Sequence, residues 1–180
     1  MADDLAQEFA YRFVRGDFRN ADPAKGRFRD YLKTALRNLI NDHFRKQKND
    51  AVSLDQNQCL ADSLHESLAD EFVEGWRGEL LARAWSALKD FESVKSNHYY
   101  TVLRYRADHP ELGSVEMAEL LSKKLDLAVS SDWIRQKLHR ARGKFAEFLK
   151  DEVRSTLPGS TKIDVESELA ELRLLKYMES

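Results

Sequence analysis

Ser130-Ser131-Asp132-Trp133-Ile134-Arg135-Gln136-Lys137-Leu138-His139-Arg140-Ala141-Arg142 has the spacing of an amphipathic helix. Ile134, Leu138 and Ala141, continued by Phe145 and Phe148 or Leu149, track one face for several turns. Arg135, Gln136, His139, Arg140 and Arg142 fall on the other face. The cluster Ser130-Ser131-Asp132 supplies oxygen acceptors for the unpaired amides of a helix start. Upstream, Ser114 is expected to cap a shorter helix with Ala118, Leu121 and Leu125 inward and Glu116 near its positive end. Asp126-Leu127-Ala128-Val129 connects the two.

Helical spacing extends through most of the chain. From Asp4 to Arg15, Leu5, Ala6, Phe9, Ala10, Phe13 and Val14 make an apolar stripe opposite Asp4, Gln7, Glu8 and Arg12. Gly16 to Ala24 breaks the pattern, and a second helix opens near Lys25 or Gly26 and runs to about Lys48. Its core stripe is Phe28, Tyr31, Leu32, Ala35, Leu39 and Phe44 or His43. Arg29, Lys33, Arg37, Asn41 and Arg45 recur every fourth residue, which predicts one exposed ridge. Cations stacked in this way repel, so an anionic partner relieves a cost, although a solvated charged face is the commoner use of such a ridge.

Asn49 to Leu68 is polar, mildly acidic and short of aromatic residues, which predicts a linker with at most a turn or two of helix. Helical periodicity resumes near Phe72 and continues through Phe91, with a break at Ser93 to Asn97 and a further helix from about Tyr99 to Ala107. After Pro158-Gly159, Val165, Leu169, Leu172 and Leu175, with Glu166, Glu168 and Glu171 opposite, form a last amphipathic segment that should fold back on its own domain. The expected fold is therefore all-α: two small helical modules, 1–50 and 72–157, an acidic linker at 51–71, and an extension at 158–180.

With 7 glycines and 3 prolines in 180 residues, turn punctuation is sparse, as an all-helical chain requires. The formal net charge of -2 conceals two basic blocks, Arg27 to Lys48 and Lys123 to Lys150, around an acidic one from Asp50 to Glu79. The single Cys59 forms no internal disulfide, and no CxxC or His/Cys cluster offers zinc ligands, so a cytoplasmic location and no metal are expected. No apolar run is long enough to span a bilayer. Asp108-His109, Cys59 and the scattered Ser and Glu residues form no nucleophile, metal or phosphate-loop constellation, so neither enzyme activity, cofactor nor small-molecule substrate is expected.

A short helix, a tight connection and a second helix with basic and amide side chains on its exposed N-terminal face are what a helix-turn-helix needs to enter a major groove. Arg135 has the donors to pair with guanine O6 and N7, and Gln136 the donor and acceptor to pair with adenine. Arg140, Arg142 and Lys144 can neutralise phosphates, and Ser131, Asp132 and His139 complete the candidate set. Periodicity alone leaves a helical hairpin with a solvated basic surface equally open, since Asp126 stands where such a turn usually has glycine.

Arg135-Gln136-Lys137-Leu138-His139-Arg140-Ala141-Arg142 resembles the end of region 4 in sigma-70 family factors of the extracytoplasmic-function (ECF) type. Asp3-Asp4-Leu5-Ala6-Gln7-Glu8-Phe9 is similar to the region 2 helix that grips the polymerase clamp. Asp22 to Arg29 resembles the following loop, and Ala35 to Asp42 the next helix of region 2. The three matches occur in the family's order; set against that pattern, the sequence is expected to start at region 2's second helix, and the turn before Trp133 to be longer than usual.

The resemblance implies a sigma factor with core RNA polymerase and promoter DNA as partners, and it allows for an anti-sigma regulator. It implies Asp3, Asp4, Gln7 and Glu8 as polymerase contacts and the loop Phe18 to Lys25 as a pocket for a flipped minus-ten base. Arg29, Arg37, Asn38, Asn41 and Arg45 would contact separated strands, and Phe18 would stack on a base. The alternatives are a stand-alone helix-turn-helix regulator that binds DNA without polymerase, and a helical interaction module whose acidic block holds a basic partner. In the extension, acidic residues that cover the DNA-binding surface would make a regulatory device.

Overall fold

The structure, a computed structural model, describes residues 2–18, 26–47, 54–157 and 159–178, and among these it is all-helical. The order is α1 (Ala2–Arg15), α2 (Phe28–Gln47), α3 (Leu54–Lys95), α4 (Tyr99–Asp108), α5 (Ser114–Leu125), α6 (Ser131–Ser155) and α7 (Lys162–Glu171), then a 3-10 turn at Leu175–Tyr177. The chain divides into two compact units, one comprising Met1–Trp76 with Thr156–Gly159 and the other Arg77–Ser155 with Ser160–Ser180.

In the first unit α1 packs on α2. Gly16 ends α1 at φ 87°, a left-handed conformation that costs a residue with a Cβ far more than glycine. Its amide reaches the Phe13 carbonyl at 3.1 Å while the Asp17 amide reaches Arg12 at 3.1 Å, so two terminal carbonyls are satisfied. The core is Leu5, Leu36, Leu39 and Ile40, flanked by Phe9, Phe44 and Leu68.

The inward stripe is narrower than the spacing predicts. Phe13 and Val14 of α1 are 51% and 81% exposed, and Tyr31 of α2 is also exposed. Leu36 and Ile40, absent from the predicted stripe, are buried instead. A helix that contacts one partner buries a strip of its apolar arc, and the remainder faces solvent.

The segment expected to be a linker with little helix is a correction: α3 runs unbroken from Leu54 to Lys95. The physical reason lies in spacing rather than composition. Leu60, Leu64, Leu68 and Phe72 recur every fourth residue, and no glycine or proline interrupts the chain between Asn49 and Glu74. Polarity tracks solvation, whereas periodicity tracks helix.

In the second unit α6 is the central element, packed by α4, α5, α7 and the 3-10 turn. Ile134, Leu138, Ala141, Phe145 and Leu149 are buried along it, as the sequence spacing predicts, and Ala146 and Val153 join them. Phe145 lies between Trp85 of α3 (ring centroids 4.7 Å) and Tyr177 (6.2 Å). The extension therefore does fold back on its own domain. Thr161 and Asp164 cap α7 reciprocally, the Asp164 amide donating to Thr161 Oγ1 at 3.3 Å and the Thr161 amide to Asp164 Oδ2 at 2.7 Å.

Within α7 one expected assignment is overturned. Glu168, placed by the sequence on the solvent side, is 1% exposed. Positions 165, 168, 169 and 172 are spaced i, i+3, i+4 and i+7, so Glu168 falls on the same inward stripe as Val165, Leu169 and Leu172. Leu174 is buried and Leu175 exposed, the reverse of the expected register, because α7 ends at Glu171 and Arg173 adopts a left-handed φ of 54°.

The α3–α4 junction is built by residues that sequence periodicity does not mark. Ser96 and His98 both have left-handed φ (50° and 60°), and His98 offers no side-chain cap to α4. Asn97 Oδ1 accepts the Tyr99 amide at 3.0 Å, and Glu92 of α3 accepts the Thr101 amide at 2.9 Å and its hydroxyl at 2.5 Å. Glu92 is thus a cap supplied from another helix, with its negative charge at the positive end of α4. Glu92→Ala is expected to destabilise the second unit by about 1–2 kcal/mol, the cost of a lost cap, read as a lower urea midpoint with unchanged slope.

Candidate nucleic-acid interface

Residues 126–130 join α5 to α6, and these two helices pack on each other. Asp126 takes the left-handed conformation (φ 50°, ψ 42°) that glycine usually supplies at this point. Aspartate is among the few residues with a Cβ that enter this region readily. The amides of Asp126 and Leu127 both reach the Ser122 carbonyl, the latter at 3.2 Å. Ser122 Oγ also accepts the Val129 amide at 3.0 Å, so a single serine holds both ends of the turn. Ser122 was not visible to the sequence reading, because a serine within a helix has no periodic signature.

The capping of the two helices is only partly as expected. Ser130 caps α6, its Oγ accepting the Trp133 amide at 3.1 Å. Ser114 does not cap α5. The N-cap is Gly113, whose amide donates to the Glu116 carboxylate, while Ser114 is the first helical residue. The Gly113 backbone at ψ 168° is extended, and the carboxylate three residues on supplies the acceptor that glycine lacks.

Arg135, Gln136, His139, Arg140 and Arg142 are all exposed on α6. The extension leaves this face open, which argues against acidic residues of α7 covering it. Ser131 is half-buried at the helix start, whereas Asp132 is exposed and ion-paired to the Arg135 guanidinium one turn on.

Two lysines of the same helix are engaged by the protein itself. Lys137 Nζ donates to the Asn97 carbonyl at 2.9 Å and lies 5.3 Å and 5.1 Å from the ring centroids of Tyr99 and Trp133. Desolvation, with Arg140 nearby, lowers its pKa. Lys137 therefore ties α6 to the α3–α4 junction. Lys144 Nζ is 2.6 Å from Glu147 and lies over the rings of Phe91 and Phe148 at 5.1 Å and 4.9 Å. To reach a phosphate it would have to leave those contacts.

In the first unit Arg37, Asn38, Asn41 and Arg45 are exposed on α2, the last paired with Asp42 at 3.0 Å. Arg29 is a correction to the predicted exposed ridge, being 3% exposed. Four-residue spacing drifts around a helix of 3.6 residues per turn, so a ridge that is open at Arg45 passes under cover at Arg29. Phe18 packs within an aromatic group, its ring tilted against Phe9 (centroids 5.2 Å) and Phe13 (6.1 Å) and T-shaped to Tyr31 (6.1 Å). Residues 19–25 of the loop expected to hold a flipped base lie outside the described residues.

Asp3, Asp4, Gln7 and Glu8 lie on α1, with Asp4, Gln7 and Glu8 exposed and Glu8 bonded to Arg12 at 2.8 Å. Among the described residues no group of three or more His, Cys, Asp or Glu is placed to hold a metal ion. Nor, among them, is any helix long and apolar enough to cross a membrane.

Comparison with known proteins gives no match to a curated protein and none to a solved structure. Residues 1–49, which contain α1 and α2, match the family model described as Sigma-70 region 2.

Proposed function

We propose that this chain is a sigma factor of the ECF type: a non-catalytic subunit that binds core RNA polymerase and directs it to promoters. The observation that carries the reading is the Sigma-70 region 2 match over residues 1–49. In that reading Asp3, Asp4, Gln7 and Glu8 of α1 meet the polymerase, and Arg37, Asn38, Asn41 and Arg45 of α2 meet the opened minus-ten strands. α5, its turn and α6 act as a helix-turn-helix that reads the minus-thirty-five element. The open face of Arg135, Gln136, His139, Arg140 and Arg142 supports this assignment, because it combines bidentate base readers with phosphate-neutralising cations on one exposed surface. The acidic residues of α1 suit a basic docking surface, and the basic residues of α2 suit single strands. The work is cytoplasmic, and an anti-sigma protein that covers either face would control it.

The test is transcription in vitro from a library of randomised promoters. Expected are transcripts that require both the chain and core polymerase, and a chain that co-purifies with that polymerase. Sequence-specific binding of free duplex DNA, with no association with polymerase, would instead make the chain a stand-alone regulator.

A further inference from the structure

Asp132 is an acidic side chain on the helix proposed to enter a groove lined by phosphates. An unbalanced carboxylate there is repelled by the DNA. Its place in the first turn of α6 favours the helix modestly through the positive helix end, and its exposed pair three residues on adds little stability. Its partner gives it a second role. Asp132 Oδ1 meets Nη2 of Arg135, the proposed guanine reader, and both side chains are well exposed at 77% and 60%. The contact engages Nη2 of the guanidinium and Oδ1 of the carboxylate, and the guanidinium has further donors and the carboxylate a second oxygen with which to meet a ligand. A long arginine that is held before contact loses less rotamer freedom when it binds.

We infer that Asp132 is a specificity-determining residue of the proposed recognition helix: it positions Arg135 for one guanine and itself accepts from the exocyclic amine of a neighbouring cytosine or adenine. This rests on the reading of α6 as a base-reading helix. Its signature separates it from a purely structural carboxylate, because removal of the charge should strengthen binding to non-promoter DNA while it weakens discrimination.

The experiment uses the full-length chain with core polymerase, on promoter fragments randomised in the upstream element and on non-promoter duplex DNA. For Asp132→Ala, preference at the guanine and at its neighbour should fall roughly 5- to 100-fold, while non-promoter binding rises roughly 3- to 10-fold at moderate salt. Asp132→Asn, which keeps an acceptor and loses the charge, should recover part of the discrimination and retain the higher non-promoter affinity. In Arg135→Ala, the further change Asp132→Ala should no longer affect preference at the guanine. Unchanged preferences in Asp132→Ala, with a changed guanine preference in Arg135→Ala, would overturn the pair and leave the helix as reader. Unchanged selection in Arg135→Ala would overturn both. Melting temperatures of the Asp132 variants are expected to fall by no more than a few degrees, the loss of one first-turn charge, with discrimination changed far more; a larger fall with unchanged discrimination would assign the carboxylate to stability instead.

Discussion

Ile134→Ala is expected to destabilise the second unit by about 3 kcal/mol, within the range for truncation of a buried aliphatic side chain. Ile134 has no exposed surface and lies in the first turn of α6, beside the Arg135 and Gln136 that face solvent. α6 carries contacts to α4, α5, α7 and the 3-10 turn and to Trp85 and Phe91 of α3, so a cavity there is not confined to a frayed end. For a unit of this size the change should lower the melting temperature by roughly 10–20 °C, measured by calorimetry on the full-length chain. Gln136→Ala, two residues further on and exposed, should shift it little, within about 0.5 kcal/mol. A small effect of Ile134→Ala would mean that the start of α6 is not held by the core.

How much of this was legible in the sequence depends on the kind of signal. The stripe Ile134, Leu138, Ala141, Phe145, Leu149 repeats over many turns, and the structure buries every member. Burial in α1 and α2 was less legible, since the sequence shows which arc is apolar but not how much of it a partner covers. α3 is less legible, because its acidity and lack of aromatic residues point to a linker while the fourfold spacing of Leu60, Leu64, Leu68 and Phe72 points to a helix. The caps and turns divide in the same way. Ser130 carries its own signal, but the acceptors from Glu92 and Ser122 come from side chains far along the chain or inside helices, where no local pattern points to them.

For the proposed site the sequence marks residue types and the structure sorts them. Lys137, Lys144 and Arg142 look alike in a basic string. Lys137 and Lys144 turn out to be held by carbonyl, carboxylate and aromatic partners, whereas Arg142 is exposed. Arg29 likewise matches the spacing of Arg37 and Arg45 but is buried. Charge at helical spacing thus identifies candidates, and burial decides which of them can reach a ligand.

That sorting leads to the contrast between Arg135→Ala and Arg142→Ala. On the proposed reading of α6 as a base-reading helix, Arg135, in its second turn, has a side chain long enough for a bidentate contact to guanine, so its removal should cost about 1–3 kcal/mol at one base of the upstream element. In selection by the holoenzyme this is a fall of roughly 5- to 150-fold in preference for that base, with the other positions less affected. Arg142 lies two turns further along the same exposed face, where a helix that enters a groove by its N-terminal end comes alongside the backbone. Arg142→Ala should lower affinity by a similar factor for every sequence and reduce the slope of log affinity against log salt by about 1. The two effects differ in kind: a base contact is worth most for one sequence, whereas a phosphate contact releases counterions from any sequence. Were both substitutions to weaken all sequences equally and change the salt slope alike, Arg135 would be a backbone contact, and base reading would fall to Gln136 and His139.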